Sequence, residues 1–174
     1  MLNKTFPTYF ISLLIGYRFS KEMVLQGKLE IEIEIKAPAA KFYNILRKQN
    51  HHIPNISDSI HAIDLHEGDW ETPGSVKQWT YTLDGNAPLC VKETIEEVDD
   101  QNKTIKFNCL EGEVLKEFKS FKSIVQVTPK AGEGSLVKWT IEFEKVNEDI
   151  PAPDAYLELT QKMTKDIDDH LVEA

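Results

Sequence analysis

The hydrophobic period of this chain changes near residue 150, and that change limits the folds open to it. After the acidic turn Asn147-Glu148-Asp149 and the brake Pro151-Ala152-Pro153, the residues Tyr156, Leu159, Met163, Ile167 and the His170/Leu171 pair recur three or four apart. Glu158, Lys162, Lys165, Asp166 and Asp169 lie between them, and Glu158 is spaced to pair with Lys162. The pattern predicts one amphipathic helix of about 19 residues, roughly 28 Å long.

Ahead of that helix the period is two. Leu29, Ile31, Ile33 and Ile35 alternate with Glu30, Glu32, Glu34 and Lys36, as a half-buried antiparallel strand requires. Ala37-Pro38 ends this strand. Phe42, Ile45 and Leu46 then mark a helix to about Lys48, and a second, shorter helix is expected around Ile53 to Asp58. Strands two and three are read over 60–67 and 75–83, and the Asp84-Gly85 turn leads to strand four over 89–98. Strand five turns Ile105, Phe107 and Cys109 to one side, strand six Phe121, Ser123, Val125 and Val127, and strand seven Val137, Trp139, Ile141 and Phe143. On strand three, Lys77, Trp79, Tyr81 and Leu83 share a face. The fold class is therefore α+β: a seven-stranded antiparallel sheet, two short helices between strands one and two, and a long C-terminal helix.

Seven strands about 4.8 Å apart span on the order of 30 Å, whereas a helix with its side chains covers only about 10 to 12 Å. A strongly twisted sheet curls around such a helix and leaves a gap between them. Trp79, Tyr81, Ile105, Phe107, Phe121, Val125, Trp139, Ile141 and Phe143 would line the gap from the sheet, and Tyr156, Leu159 and Met163 from the helix. On spacing alone the same side chains read as ordinary close-packed core.

With 174 residues the chain fits a single domain with a substantial core. Twenty basic against 29 acidic side chains give a formal charge of −9, a field that repels phosphate backbones and anionic membranes, so nucleic acid is not expected as a partner. Residues 1–22 carry a short apolar run from Phe10 to Ile15, too short to span a bilayer and lacking an A-x-A-like cleavage site. They are read as an extension outside the domain of residues 23–174. Cys90 and Cys109 form no CxxC pair and are expected reduced, in the cytoplasm; a bridge across the turn at 99–102 is the alternative.

Several long phrases carry a resemblance: HHIPNIS at 51–57, HEGDWETPGSVKQWTYTLDG at 66–85, LEGEVLKEFKSF at 110–121, GSLVKWTIEFEKVNED at 134–149 and KDIDDHL at 165–171. Together they resemble the plant major latex proteins, a branch of the birch-pollen-allergen, START-like superfamily. The resemblance implies a helix-grip fold in which the sheet encloses a large internal cavity. It also implies an intracellular binding or carrier protein for small hydrophobic molecules, steroid-, hormone- or alkaloid-like, associated with plant defence and stress. No cofactor is implied, and a monomer or weak dimer is expected.

The alternative is a cavity enzyme. Superfamily relatives include condensing synthases with a cavity lysine and latex-type isomerases and cyclases. An acid–base role needs a buried titrating group, and Glu93 between Val91 and Ile95 is the best carboxylate, with Tyr81, His66 and His52 as assistants. The expected cavity positions hold no lysine apart from Lys77 at a strand start, which argues against condensing chemistry. The histidines 51, 52, 61 and 66 form neither HxH nor HExxH, so no metal site is read. The loop Glu67–Gly74 lacks a GK[ST] ending and carries three carboxylates, which fits a structural loop at the cavity lip and not a phosphate cradle.

Overall fold

The computed structural model describes residues 25–173, so the extension expected at 1–22 lies outside the described residues. The elements are β1 (Gln26–Ile35), α1 (Ala39–Lys48), a 3₁₀ helix (Asn50–Asn55), β2 (Ile60–Glu67), β3 (Val76–Tyr81), β4 (Leu89–Asp99), β5 (Thr104–Gly112), a 3₁₀ turn (Glu113–Lys116), β6 (Phe118–Pro129), β7 (Ser135–Lys145) and α2 (Asp154–Glu173). The strands form one antiparallel sheet in the order β1-β7-β6-β5-β4-β3-β2. The first strand therefore pairs with the last at one edge of the sheet, and β2 forms the other edge.

Two local features of the helical segment have plain causes. Pro38 sits one residue ahead of α1, extended at φ −61° and ψ 140°, and its carbonyl accepts the first helical N–H groups from Lys41 and Phe42 at 3.0 and 3.1 Å. The second short helix begins at Asn50 and stops at Asn55, earlier than the expected 53–58, and it is a 3₁₀ helix containing Pro54, which has no N–H to donate.

The sheet curls because its ladders are interrupted. His61 and His66 on β2, Leu110 on β5, Glu96 on β4 and Lys119 on β6 are each skipped in the pairing with the neighbouring strand. Such bulges raise the local twist and bend the strand that carries them. Along the concave face, α2, a helix of about 30 Å by its 20 residues, lies across the sheet. Asp168 holds it at one end: this nearly buried carboxylate accepts the backbone N–H of Lys36 at 3.0 Å and of Ala37 at 2.7 Å, just past the end of β1. Trp139 on β7 fixes it further along by donating its indole N–H to Thr164 Oγ1 at 2.9 Å.

Two buried clusters fill the ends of the grip. One gathers Phe42, Ile53, Ile105, Val125, Val137 and Ile167, and the other Val114, Phe118, Phe121, Ile141 and Phe143. Among the described residues no helix is long and apolar enough to cross a membrane.

Candidate functional site

Between the two clusters the packing opens into a cavity of about 110 Å³. Its wall is built from residues of six strands, β2 to β7, together with α1, α2 and Val114 of the 3₁₀ turn, because only the concave side of each pleat reaches it. Trp79, Tyr81, Phe107, Phe121, Trp139 and Ile141 line it at positions expected from the strand alternation, and Tyr156, Leu159 and Met163 at positions expected from the helical spacing. Ile105, Val125 and Phe143 do not, contrary to expectation. Ile105 and Val125 are directly paired across β5 and β6 and sealed in the same cluster as Phe42 of α1, at 1% and 0% exposure. Phe143 packs edge-on against Phe118 at a centroid distance of 5.5 Å in the second cluster. The width argument foresees a hollow along the whole sheet, but α1 and the Phe118 region fill both ends of it.

The wall also holds residues that the strand pattern alone did not single out: Leu46, Ile60, Val91, Cys109, Ser123 and Thr160. Cys109 and Ser123 share the inward parity of Phe107 and Phe121, so the alternation contained them. Leu46 and Thr160 required knowledge of how the helices dock.

Trp79, Tyr81 and Glu93 set polar atoms on the β3–β4 side, and Ser123 of β6 and Thr160 of α2 add hydroxyls elsewhere on the wall. Glu93 lines the cavity, and burial pushes its carboxyl up to about 7 against the pull of the nearby Lys77 charge. The Trp79 indole N–H lies near enough to favour the charged carboxylate, yet it closes no hydrogen bond of good geometry with any group among the described residues. The Tyr81 hydroxyl, on a side chain only 3% exposed, likewise closes no hydrogen bond of good geometry among them, although the Tyr156 hydroxyl lies near enough to act on it, and burial first of all raises its pKa far above the ordinary phenol value. Tyr156 of α2 stands beside it, ring centroids 6.1 Å apart.

Lys77 belongs to the same face of β3 but does not reach the cavity wall. It is 1% exposed and donates Nζ–H to the Trp70 carbonyl at 2.7 Å, with the ammonium 5.6 Å from the Trp70 ring centroid. Burial lowers it to about 8, offset in part by Glu93. Its ammonium thus straps down the loop of residues 67–74, which Arg47 also holds through the Glu71 carbonyl at 2.6 Å. Within that loop Asp69 accepts the backbone N–H of Glu71 and Thr72 at 2.8 and 2.7 Å. The amides a phosphate would need are already engaged by the loop's own carboxylate.

The histidines are dispersed. His66 is exposed at the bulge ending β2 and is not on the cavity wall, so it does not join Glu93. His52 is exposed on the 3₁₀ helix, and His51 packs against Trp70 with centroids 4.9 Å apart. Cys90 and Cys109 are both free thiols, Cys90 exposed and Cys109 on the cavity wall.

The sequence matches the profile of the Pathogenesis-related protein Bet v 1 family over residues 24–174. The chain belongs to the Bet v 1 family. Within it, the chain is similar to MLP-like protein 34 of Arabidopsis thaliana, 44% identical over 87% of this chain and 48% of that protein, and so spans about half its length. It is also 43% identical to MLP-like protein 43 of Arabidopsis thaliana over 85% of this chain and 94% of that one. The crystal structure of ginseng major latex-like protein 151 from Panax ginseng superposes with a TM-score of 0.80 at 39% identity, covering 84% of this chain and 97% of that one. Norcoclaurine synthase from Thalictrum flavum shares the Bet v 1 fold at 18% identity, TM-score 0.71, over 85% of this chain and 87% of that one.

Proposed function

We propose that this Bet v 1 family member is an intracellular, cytoplasmic carrier that encloses one small hydrophobic molecule in the cavity between the sheet and α2, in the setting of plant defence and stress. The observation that carries this reading is the wall itself: a concave, predominantly apolar surface of aromatic, Ile, Leu and Met side chains, with a few polar tips. Such a lining suits the burial of a steroid-, hormone- or alkaloid-like molecule, with the polar tips fixing its orientation. The net charge of −9 argues against nucleic acid as a partner. Titration with a polarity-sensitive naphthalene dye tests the reading. Saturable one-to-one binding, weakened at least tenfold by the cavity-filling change Val91→Phe in a folded protein, is the expected result; no saturable binding, or binding indifferent to that change, refutes it.

A second reading, a cavity isomerase or cyclase, draws support from Glu93 alone, whose carboxyl is held near neutrality where general acid–base groups work best. In that reading Glu93 moves the proton and Tyr81 assists, while His66 has no part. Turnover with a bell-shaped pH profile, abolished by Glu93→Gln, would favour it over the carrier.

A further inference from the structure

The two tryptophans of the cavity wall are treated differently by the protein. Trp139 donates its indole N–H to Thr164 Oγ1 at 2.9 Å, and Thr164 in turn donates to the Thr160 carbonyl at 2.7 Å, so that side of the hollow is chemically closed. Trp79 has no such partner among the described residues, and neither has the Tyr81 hydroxyl two positions along the same face of β3. Leaving a buried donor unpaired costs roughly 1–3 kcal/mol, and here Trp79 is a diagonal neighbour of Glu93 while Tyr81 lies further along the same cavity wall. Glu93 is one strand over, diagonal to Trp79, where the skipped Leu110 lets it pair with Cys109.

We propose that this corner of the cavity recognises an uncharged, largely apolar molecule bearing a hydroxyl group, whose oxygen accepts from Trp79 Nε1 and whose proton is donated to the Glu93 carboxylate, with the Tyr81 hydroxyl as a second donor. The inference rests on the carrier reading and names the class of its ligand. Other head groups satisfy fewer of these atoms. An ammonium would pair with Glu93 but offers nothing for two N–H and O–H donors, and Lys77 sits behind the same carboxyl. A carboxylate would meet the ionised form of Glu93 as a like charge. A hydroxyl is the small group that both accepts and donates, and it leaves the remaining skeleton against Phe107, Ile141, Leu159 and Met163.

The test compares 2-naphthol, naphthalene, 2-naphthoate and 2-(aminomethyl)naphthalene by calorimetry on the full chain, with Trp79→Phe, Tyr81→Phe and Glu93→Gln variants checked for folding by near-UV circular dichroism. The inference expects 2-naphthol to bind about tenfold more tightly than naphthalene, with the anion and the amine both weaker than the naphthol. Trp79→Phe is expected to shrink the naphthol advantage to about twofold while leaving naphthalene affinity in place, and Tyr81→Phe to reduce it partially. Glu93→Gln, which keeps an acceptor oxygen, should retain most of it. Equal binding of naphthol and naphthalene, preference for the anion or the amine, or an advantage untouched by Trp79→Phe overturns the inference and leaves the carrier reading intact. Failure of all four compounds to bind contradicts both.

Discussion

Lys77 on β3 and Glu93 on β4 stand directly opposite each other in the antiparallel ladder, Lys77 buried and Glu93 on the cavity wall, yet Lys77 gives a hydrogen bond to the Trp70 carbonyl. The pair therefore separates into two tasks, one charge tethering a loop and the other facing the cavity.

Their titrations act on stability in opposite directions. Glu93 binds its proton more tightly when folded, with a pKa raised from 4.5 to about 7, so between those values the native state holds more protons than the unfolded chain and its stability falls as pH rises. Lys77 is lowered from 10.5 to about 8, so in that interval the unfolded chain holds more protons and stability climbs with pH. Chemical denaturation from pH 4.5 to 10.5 is expected to show a shallow minimum near pH 7 to 8. Glu93→Gln should remove the acid-side slope, worth on the order of 2 kcal/mol, and Lys77→Met the alkaline-side slope. Profiles parallel to the wild type in both variants would show that neither group is buried as described.

Asp168 is expected to act as the main polar clamp between α2 and the end of β1. Its carboxylate satisfies the N–H groups of Lys36 and Ala37. Asp168→Ala leaves both donors without it and should cost about 2–3 kcal/mol in urea denaturation. A loss below about 0.5 kcal/mol would mean that α2 is held by its apolar face alone.

Gly27 is required by the ring opposite it. A Cβ placed there would lie 2.3 Å from Cζ of Phe143, its cross-strand partner, because the ring lies across the glycine. Gly27→Val should therefore displace Phe143 and lower stability by about 1–3 kcal/mol, and Gly27→Val combined with Phe143→Leu should recover part of that loss. An unaffected melting temperature for the single variant contradicts this packing.

The thiols should separate cleanly under alkylation. Cys90 is exposed, whereas burial pushes Cys109 up to about 12 and places it on the cavity wall. Iodoacetamide at pH 8 is expected to modify one thiol of the native chain, identified as Cys90 by peptide mass, and both after denaturation. Equal labelling of the two in the native state would place Cys109 in contact with solvent.

Much of this architecture is legible in the residues because period-two alternation fixes which side chain faces inward, as at Leu29 to Ile35 and at Trp79 and Tyr81. What alternation does not register is where helices dock. Ile105 and Val125 carry the same signal as Phe107 and Phe121, but the first pair is sealed within the packing and the second borders open space. Bulges escape it for a similar reason: one skipped residue takes His66 away from the cavity and lets Glu93 pair with Cys109, although no glycine or proline marks either spot. Lys77 reads as a doubtful strand-start residue, and its burial is explained only by the Trp70 carbonyl that a long loop brings to it.

The most direct measurement is the location of bound probe by methyl-resolved NMR during titration with 2-naphthol. Saturable shifts concentrated on the methyls of Val91, Ile141, Leu159 and Met163, with Leu65, Leu110 and Val172 on the exterior unmoved, are the predicted outcome. Shifts confined to those exterior methyls, or none that saturate, would contradict an internal binding cavity.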